Sequence, residues 1–193
     1  MAYTTLNKIK EYNPCSDGWG KLLKHLGKSK ADDKRLYFKT ILKSNGIQDA
    51  VWALRTLPFD DRCLFQADVA ESVLHIFEKK YPDDKRPRKA IEAVRNYKAK
   101  GISLDELRGK KRDAYDAYAD DAADAADDAA DAAAADAAYA AAAAYAAAAC
   151  SSACSVDDYD VYSTACNASY ATPYAHKIKK WKEIEQIFIK HFC

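Results

Sequence analysis

Glu71 and His75 stand four residues apart, one helical turn, near enough to share a proton or to hold a metal ion from a single face. A lone pair of this kind inside an apolar helical stripe is read first as a structural hydrogen bond. Cys150 and Cys154 repeat the spacing, with Cys166 and His176 downstream. A structural zinc site needs four ligands at a defined spacing, and this set matches none of the common ones. The chain has no Gly-rich phosphate loop, no HExxH pair and no Ser/His/Asp set that its order recommends. The expectation is a protein that is not an enzyme and uses no cofactor and no metal.

Arginine and aromatic residues near turns are stronger candidates. "WALR" carries Trp52 and Arg55, "DDR" carries Asp61 and Arg62, and "DDKRPRK" carries Asp84, Lys85, Arg86 and Arg88, while Trp19 opens another helical stretch. A guanidinium offers a planar fork of donors to a carboxylate or phosphate, and an indole offers a stacking face. Loops at helix ends present such groups to partners. These residues are therefore expected to contribute a ligand- or partner-binding surface. The competing expectation, preferred for any one of them alone, is a helix cap or an intramolecular ion pair.

The elements that must position these residues are helical almost throughout. Ser16 or Asp17 is expected to cap a helix carrying Trp19, Leu22, Leu23 and Leu26 on one face, stopped by Gly27. "RLYFKTILKSNG" repeats the device and ends on Asn45-Gly46. "IQDAVWALRTLP" gives a short helix before Pro58, and the next run, from Asp60 or Asp61 as cap, spaces Leu64, Ala67, Val69, Val73, Ile76 and Phe77 for burial. Pro82 and Pro87 bracket a turn, after which a helix runs to Gly101. Ser103 and Glu106 form a capping box that opens a long helix through most of an Ala tract. After Pro173, Ile178, Trp181, Ile184, Phe188 and Phe192 recur at three and four, with Ile187 alongside. The fold class is all-α, a compact helical bundle or short α-solenoid with a long Ala-rich helix and a C-terminal amphipathic helix. The division expected is a basic helical domain over residues 1–102, the Ala/Asp-rich helix over 103–150, and a return segment with the amphipathic helix over 151–193.

Charge is segregated along the chain. The net charge of +1 hides a basic stretch ahead of residue 113 and an acidic, base-free stretch from there to residue 160. Asp113, Asp116, Asp120, Asp124, Asp127 and Asp131 follow steps of three and four, a stripe about 80° wide and some 27 Å long on a helix. The other face is Ala with Tyr115 and Tyr118, small enough to let another backbone approach closely. The stripe is read first as answering the basic stretch of its own chain or of a neighbour. Beyond residue 137 the helix is Ala on all sides and needs cover. A homo-oligomer is therefore expected, with contacts at Tyr139, Ala140, Ala144 and Tyr145. The alternative cover is the C-terminal helix of the same chain. No apolar run is long enough for a transmembrane helix, no signal peptide is evident, and the six Cys form no compact framework. A cytoplasmic protein with reduced thiols and no membrane partner is expected.

"SDGWGKLLKHLGKSKADD", "ILKSNGIQDAVWALR", the following "DDR" and "YPDDKRPRKAIEAVRNY", leading into an Asp/Tyr/Ala tract, resemble the Imm5-like family of immunity proteins, common in bacteria and phages. The resemblance covers roughly residues 15 to 150. It implies an all-helical, non-enzymatic protein that neutralises something, and it carries over no binding residues. Three functions stay open at this point. The first is immunity or phage counter-defence, by binding and blocking a protein effector or toxin. The second is an oligomeric sponge that traps a small nucleotide immune signal through Arg/Lys and Trp/Tyr residues. The third is a DNA mimic built on the acidic helix. Sequestration of a protein or nucleotide ranks ahead, a nucleic-acid partner is disfavoured, and catalysis comes last.

Overall fold

The computed structural model describes residues 1–127, 142–144, 146, 160–171 and 176–193. Tyr139, Ala140 and Tyr145, together with Asp131, Cys150 and Cys154, lie outside the described residues.

The chain opens with β1 (Tyr3–Thr4) and α1 (Leu6–Glu11), followed by α2 (Ser16–Leu26). β2 (Leu36–Tyr37) leads directly into α3 (Phe38–Asn45), and α4 (Ile47–Ala53) follows, extended by a 3-10 turn over Leu54–Thr56. The long α5 (Phe59–Lys80), α6 (Arg86–Lys100) and α7 (Leu104–Asp127) come next, then α8 (Asp160–Tyr170) and α9 (Lys177–Phe192). The all-α expectation holds. Among the described residues its one exception is the antiparallel pair β1–β2, with Tyr3 opposite Tyr37 and Thr4 opposite Leu36.

The boundaries follow from local chemistry. Gly27 and Gly101 stop α2 and α6 at φ of 64° and 67°, the left-handed region that glycine enters without a Cβ penalty. The Ser103 hydroxyl accepts from the Glu106 amide at 3.1 Å, the first of the two bonds expected of the capping box, at the start of α7. Two caps differ from expectation by a residue or more. Cys15 caps α2, its sulfur accepting from the Gly18 amide at 3.4 Å, and Pro58 precedes α5 where Asp60 or Asp61 was expected.

One buried cluster contains residues from α1 through α9. At its centre Phe38 of α3 and Phe65 of α5 receive Phe188 and Phe192 of α9, with ring centroids 5.5 to 6.3 Å apart. The amphipathic helix thus docks in the core through Ile184, Phe188 and Phe192, whereas Ile178 of the expected stripe lies 74% exposed. Lys180, buried on the same helix, donates to the Ser72 carbonyl at 3.2 Å and pairs with Glu183 at 2.7 Å. α7 lies along α6, where Ala90 and Ala114 meet with no exposed surface, so small side chains set the close approach. Ala143, Ala144 and Ala146 belong to the same buried cluster as Ala165, Ala168 and Ala171 around α8. Ala144 is thus covered by its own chain, not by a second copy as the oligomer reading had it. Tyr115, expected on the inner face of α7, is 45% exposed, while Tyr118 packs against the core.

Asp68 ties three helices together. It accepts from Arg95 of α6 at 2.7 Å and, on α9, meets His191 at 2.9 Å and Lys190 at 3.2 Å. Burial alone would raise its pKa, but the hydrogen bonds from His191, Arg95 and Lys190 outweigh that and hold the carboxyl below its ordinary value. Glu78, held by Arg88, and Asp84, held by Arg86 against its own burial, shift the same way. A lowered folded-state pKa contributes stability that is present above the unfolded value, near 4, and is lost as pH falls through the folded value. Denaturant unfolding should therefore show stability declining with acidification below about pH 4. Asp68→Asn should cost roughly 1.5–3 kcal/mol at pH 7 and flatten that decline. An unchanged pH slope in the variant would remove Asp68 from this account.

Candidate functional site

Asp49 and Trp52 sit three residues apart on α4 and so share a face. Across from them come Gly18 and Trp19 of α2, Ile41 and Asn45 of α3, and Tyr162 of α8, enclosing a cavity of about 250 Å³. Its polar corner is held by Asn45, whose amide donates to Asp49 Oδ2 and to the Gly18 carbonyl, both at 2.8 Å. Ser44 in turn donates to Asn45 Oδ1 at 2.7 Å. Gly18 leaves room here: a Cβ would stand 2.9 Å from Asp49 Oδ2 and 3.1 Å from Cys15 Sγ, so the carboxylate would have to shift. Glycine lets the start of α2 close on α4 and leaves the carboxylate where it is.

Trp52 is held from behind. The Arg55 guanidinium lies 4.1 Å from the centre of the indole, and its Nε donates to the Trp52 carbonyl at 2.9 Å. Arg55 is only 5% exposed, so it positions Trp52 instead of reaching out to a ligand. A second cavity of about 420 Å³ adjoins the first, sharing Gln48 and Tyr162, and is lined further by Cys166, Tyr170, Lys177 and Trp181. All three tryptophans of the chain line one cavity or the other. Burial, reinforced by Cys166, pushes the Tyr162 hydroxyl up to about 12, and burial also raises the Cys166 thiol. Both groups stay protonated at neutral pH, so neither gives the cleft a phenolate or a nucleophilic thiolate.

The remaining residues expected at a binding surface do not converge there. Arg62 is buried within α5 at 7% exposure, against the expectation of a side chain presented by a loop, while Asp61 beside it is exposed. Arg86 bridges Asp84 at 2.7 Å and Asp120 of α7 at 2.8 Å, and Arg88 grips Glu78 through two bonds of 2.5 Å. Lys85 is exposed just before α6. The caps and ion pairs preferred for single residues are what the structure shows around Arg86 and Arg88. Asp113 pairs with Lys110 and Asp120 with Arg86, so part of the acidic stripe answers the basic segment within one chain. Glu71 pairs with Arg95, leaving the Glu71–His75 pair unformed, and His75 is exposed.

Trp19 and Trp52 were identifiable from their positions near helix ends. Asp49, Asn45 and Tyr162 were not, although Asp49 precedes Trp52 by less than one turn in "IQDAVW".

The profile of a family described as "Imm-5 like putative immunity protein" matches residues 61–183. The match lies further along the chain than the 15–150 expected and includes the Cys/Ser/Tyr segment. It takes in Tyr162, Cys166, Lys177 and Trp181 of the cleft and leaves Trp19, Asp49 and Trp52 ahead of it. No curated protein and no solved structure matches the chain. Among the described residues, no helix is long and apolar enough to cross a membrane.

Proposed function

From the premise that the chain belongs to the Imm-5 like family of immunity proteins, we propose that it neutralises a protein effector by binding it, without catalysis, through the tryptophan-lined cleft. The observation that carries this reading is the gathering of all three tryptophans on two adjoining cavities. Trp and Tyr, with Arg, are enriched where protein interfaces hold their binding energy, in well-packed pockets that exclude water once the partner is seated.

A nucleotide ligand is served less well. Phosphates call for arginine forks, and Arg86 and Arg88 are engaged by carboxylates while Arg55 and Arg62 are buried. The smaller cavity also presents Asp49, which repels an anion. The DNA-mimic reading loses ground for a related reason, because Asp113 and Asp120 already have basic partners within the chain.

The test is growth of cells that express a toxic effector from the genomic neighbourhood together with this protein. Wild type should protect, and inhibition of the purified effector should saturate at a fixed stoichiometry, as binding demands and turnover does not. Trp19→Ala and Trp52→Ala should each lose protection by tenfold or more while keeping a helical circular-dichroism spectrum, the scale of an interface anchor at about 2 kcal/mol. Full protection by both folded variants overturns the proposal.

A further inference from the structure

The occupant of the smaller cavity can be named by its chemistry; this inference rests on the reading of the cleft as the effector-binding surface. We infer that the cavity accepts a cationic side chain, an arginine or lysine of the protein partner, with Asp49 as its counter-charge and Trp19 and Tyr162 as its aromatic walls. Asp49 is half-buried, and among the described residues its carboxylate has no cationic partner. The donor it does have, the Asn45 amide, is neutral and meets Oδ2 alone. Asp68, Glu71, Glu78, Asp84, Asp113, Asp120 and Glu183, by contrast, each have an arginine or lysine within 3.2 Å.

The three classes of occupant differ sharply in what they would do to this carboxylate. An anion would meet like charge. A leucine or phenylalanine side chain would strip water from Asp49 and offer it nothing in return, which is costly for a charged group. A guanidinium or ammonium would answer the charge and lie against electron-rich ring faces, the arrangement that favours cation–π contact. Arg55 already occupies one approach to Trp52, so the incoming cation is left Trp19 and Tyr162. Size agrees. At about 250 Å³ the cavity falls below the roughly 300–1,000 Å³ of small-molecule sites, and it suits one side chain inserted from a larger surface.

The chain's three tryptophans provide the readout. Indole N–H signals of the full-length protein, assigned with single Trp→Phe variants, would be followed by NMR during titration with N-acetyl-arginine methylamide. The control probe is N-acetyl-citrulline methylamide, which has the same shape without the charge. The arginine probe should shift the Trp19 and Trp52 signals saturably and bind about tenfold or more tightly than citrulline, the ratio expected for one charge-assisted bond. Asp49→Asn, which keeps shape and the Asn45 contact, should erase that preference while leaving the spectrum dispersed. Equal response to both probes, or an undiminished preference in Asp49→Asn, overturns the inference. Loss of protection in Trp19→Ala without any preference for arginine overturns the cationic occupant and leaves the effector-binding reading standing. Arginine preference together with full protection in Trp19→Ala supports the cation site and overturns its use against an effector.

Discussion

Phe188→Ala is expected to cost about 3–5 kcal/mol of folding stability, read as a fall in the urea midpoint. Phe188 has no exposed surface, and its ring meets Phe38, Phe65 and Phe192 at 6.3, 6.0 and 5.1 Å. Removing it opens a cavity between α3, α5 and α9, and three neighbouring aromatic rings cannot collapse to fill it. Against a total stability of about 5–15 kcal/mol for a domain, the variant would be left close to unfolding at ambient temperature. Ile178→Ala on the same helix is the internal control. With 74% of its surface in water it should change stability by no more than about 0.5 kcal/mol. A Phe188→Ala cost below about 1 kcal/mol would mean that α9 does not close the core.

Ala144→Glu should be of similar size and should abolish cooperative unfolding altogether. Ala144 has no exposed surface and lies in the same buried cluster as Ala165 and Ala168. A carboxylate forced there must be desolvated without a designed partner or must displace its segment, at a cost of several kcal/mol. Were Ala144 a contact between copies, the same change would yield a folded protein of smaller mass. Circular dichroism and sedimentation together distinguish the two. Loss of helical signal is expected, and a folded variant with reduced mass would restore Ala144 to an oligomer interface.

Which parts of the fold could be read in advance follows from the range of the forces involved. Gly27, Gly101 and the Ser103 capping box act within one turn, and each marks a boundary that the chain obeys. The stripe of Ile184, Phe188 and Phe192 is also local in origin, since its spacing alone fixes which face is apolar. β1 and β2 could not be foreseen, because two residues are too few to show alternation and their pairing spans more than thirty positions. Cys15 took the capping role from Ser16 through a weak sulfur acceptor that propensity does not rank. At the site, Trp19 and Trp52 stood out by type, but arginine misled. A guanidinium near a turn reads the same whether it reaches for a ligand or, like Arg55 and Arg86, for its own chain. Asp49 was passed over because its lack of a cationic partner among the described residues is a property of three helices meeting, not of its neighbours in sequence.

The seating of α9 between α3 and α5 has a consequence for timing. Phe38 and Phe65 are synthesised early, yet their cover, Phe188 and Phe192, is synthesised late. At about 5–20 residues per second the interval between Phe65 and Phe188 is roughly 6 to 25 s. Throughout it Phe38 and Phe65 lack this cover, and transiently exposed apolar surface of that kind draws chaperones and favours aggregation when many copies are made at once. On the proposal that the chain neutralises an effector, protection would lag translation, and a cell would need finished molecules in stock, since those still on the ribosome have no closed core to offer.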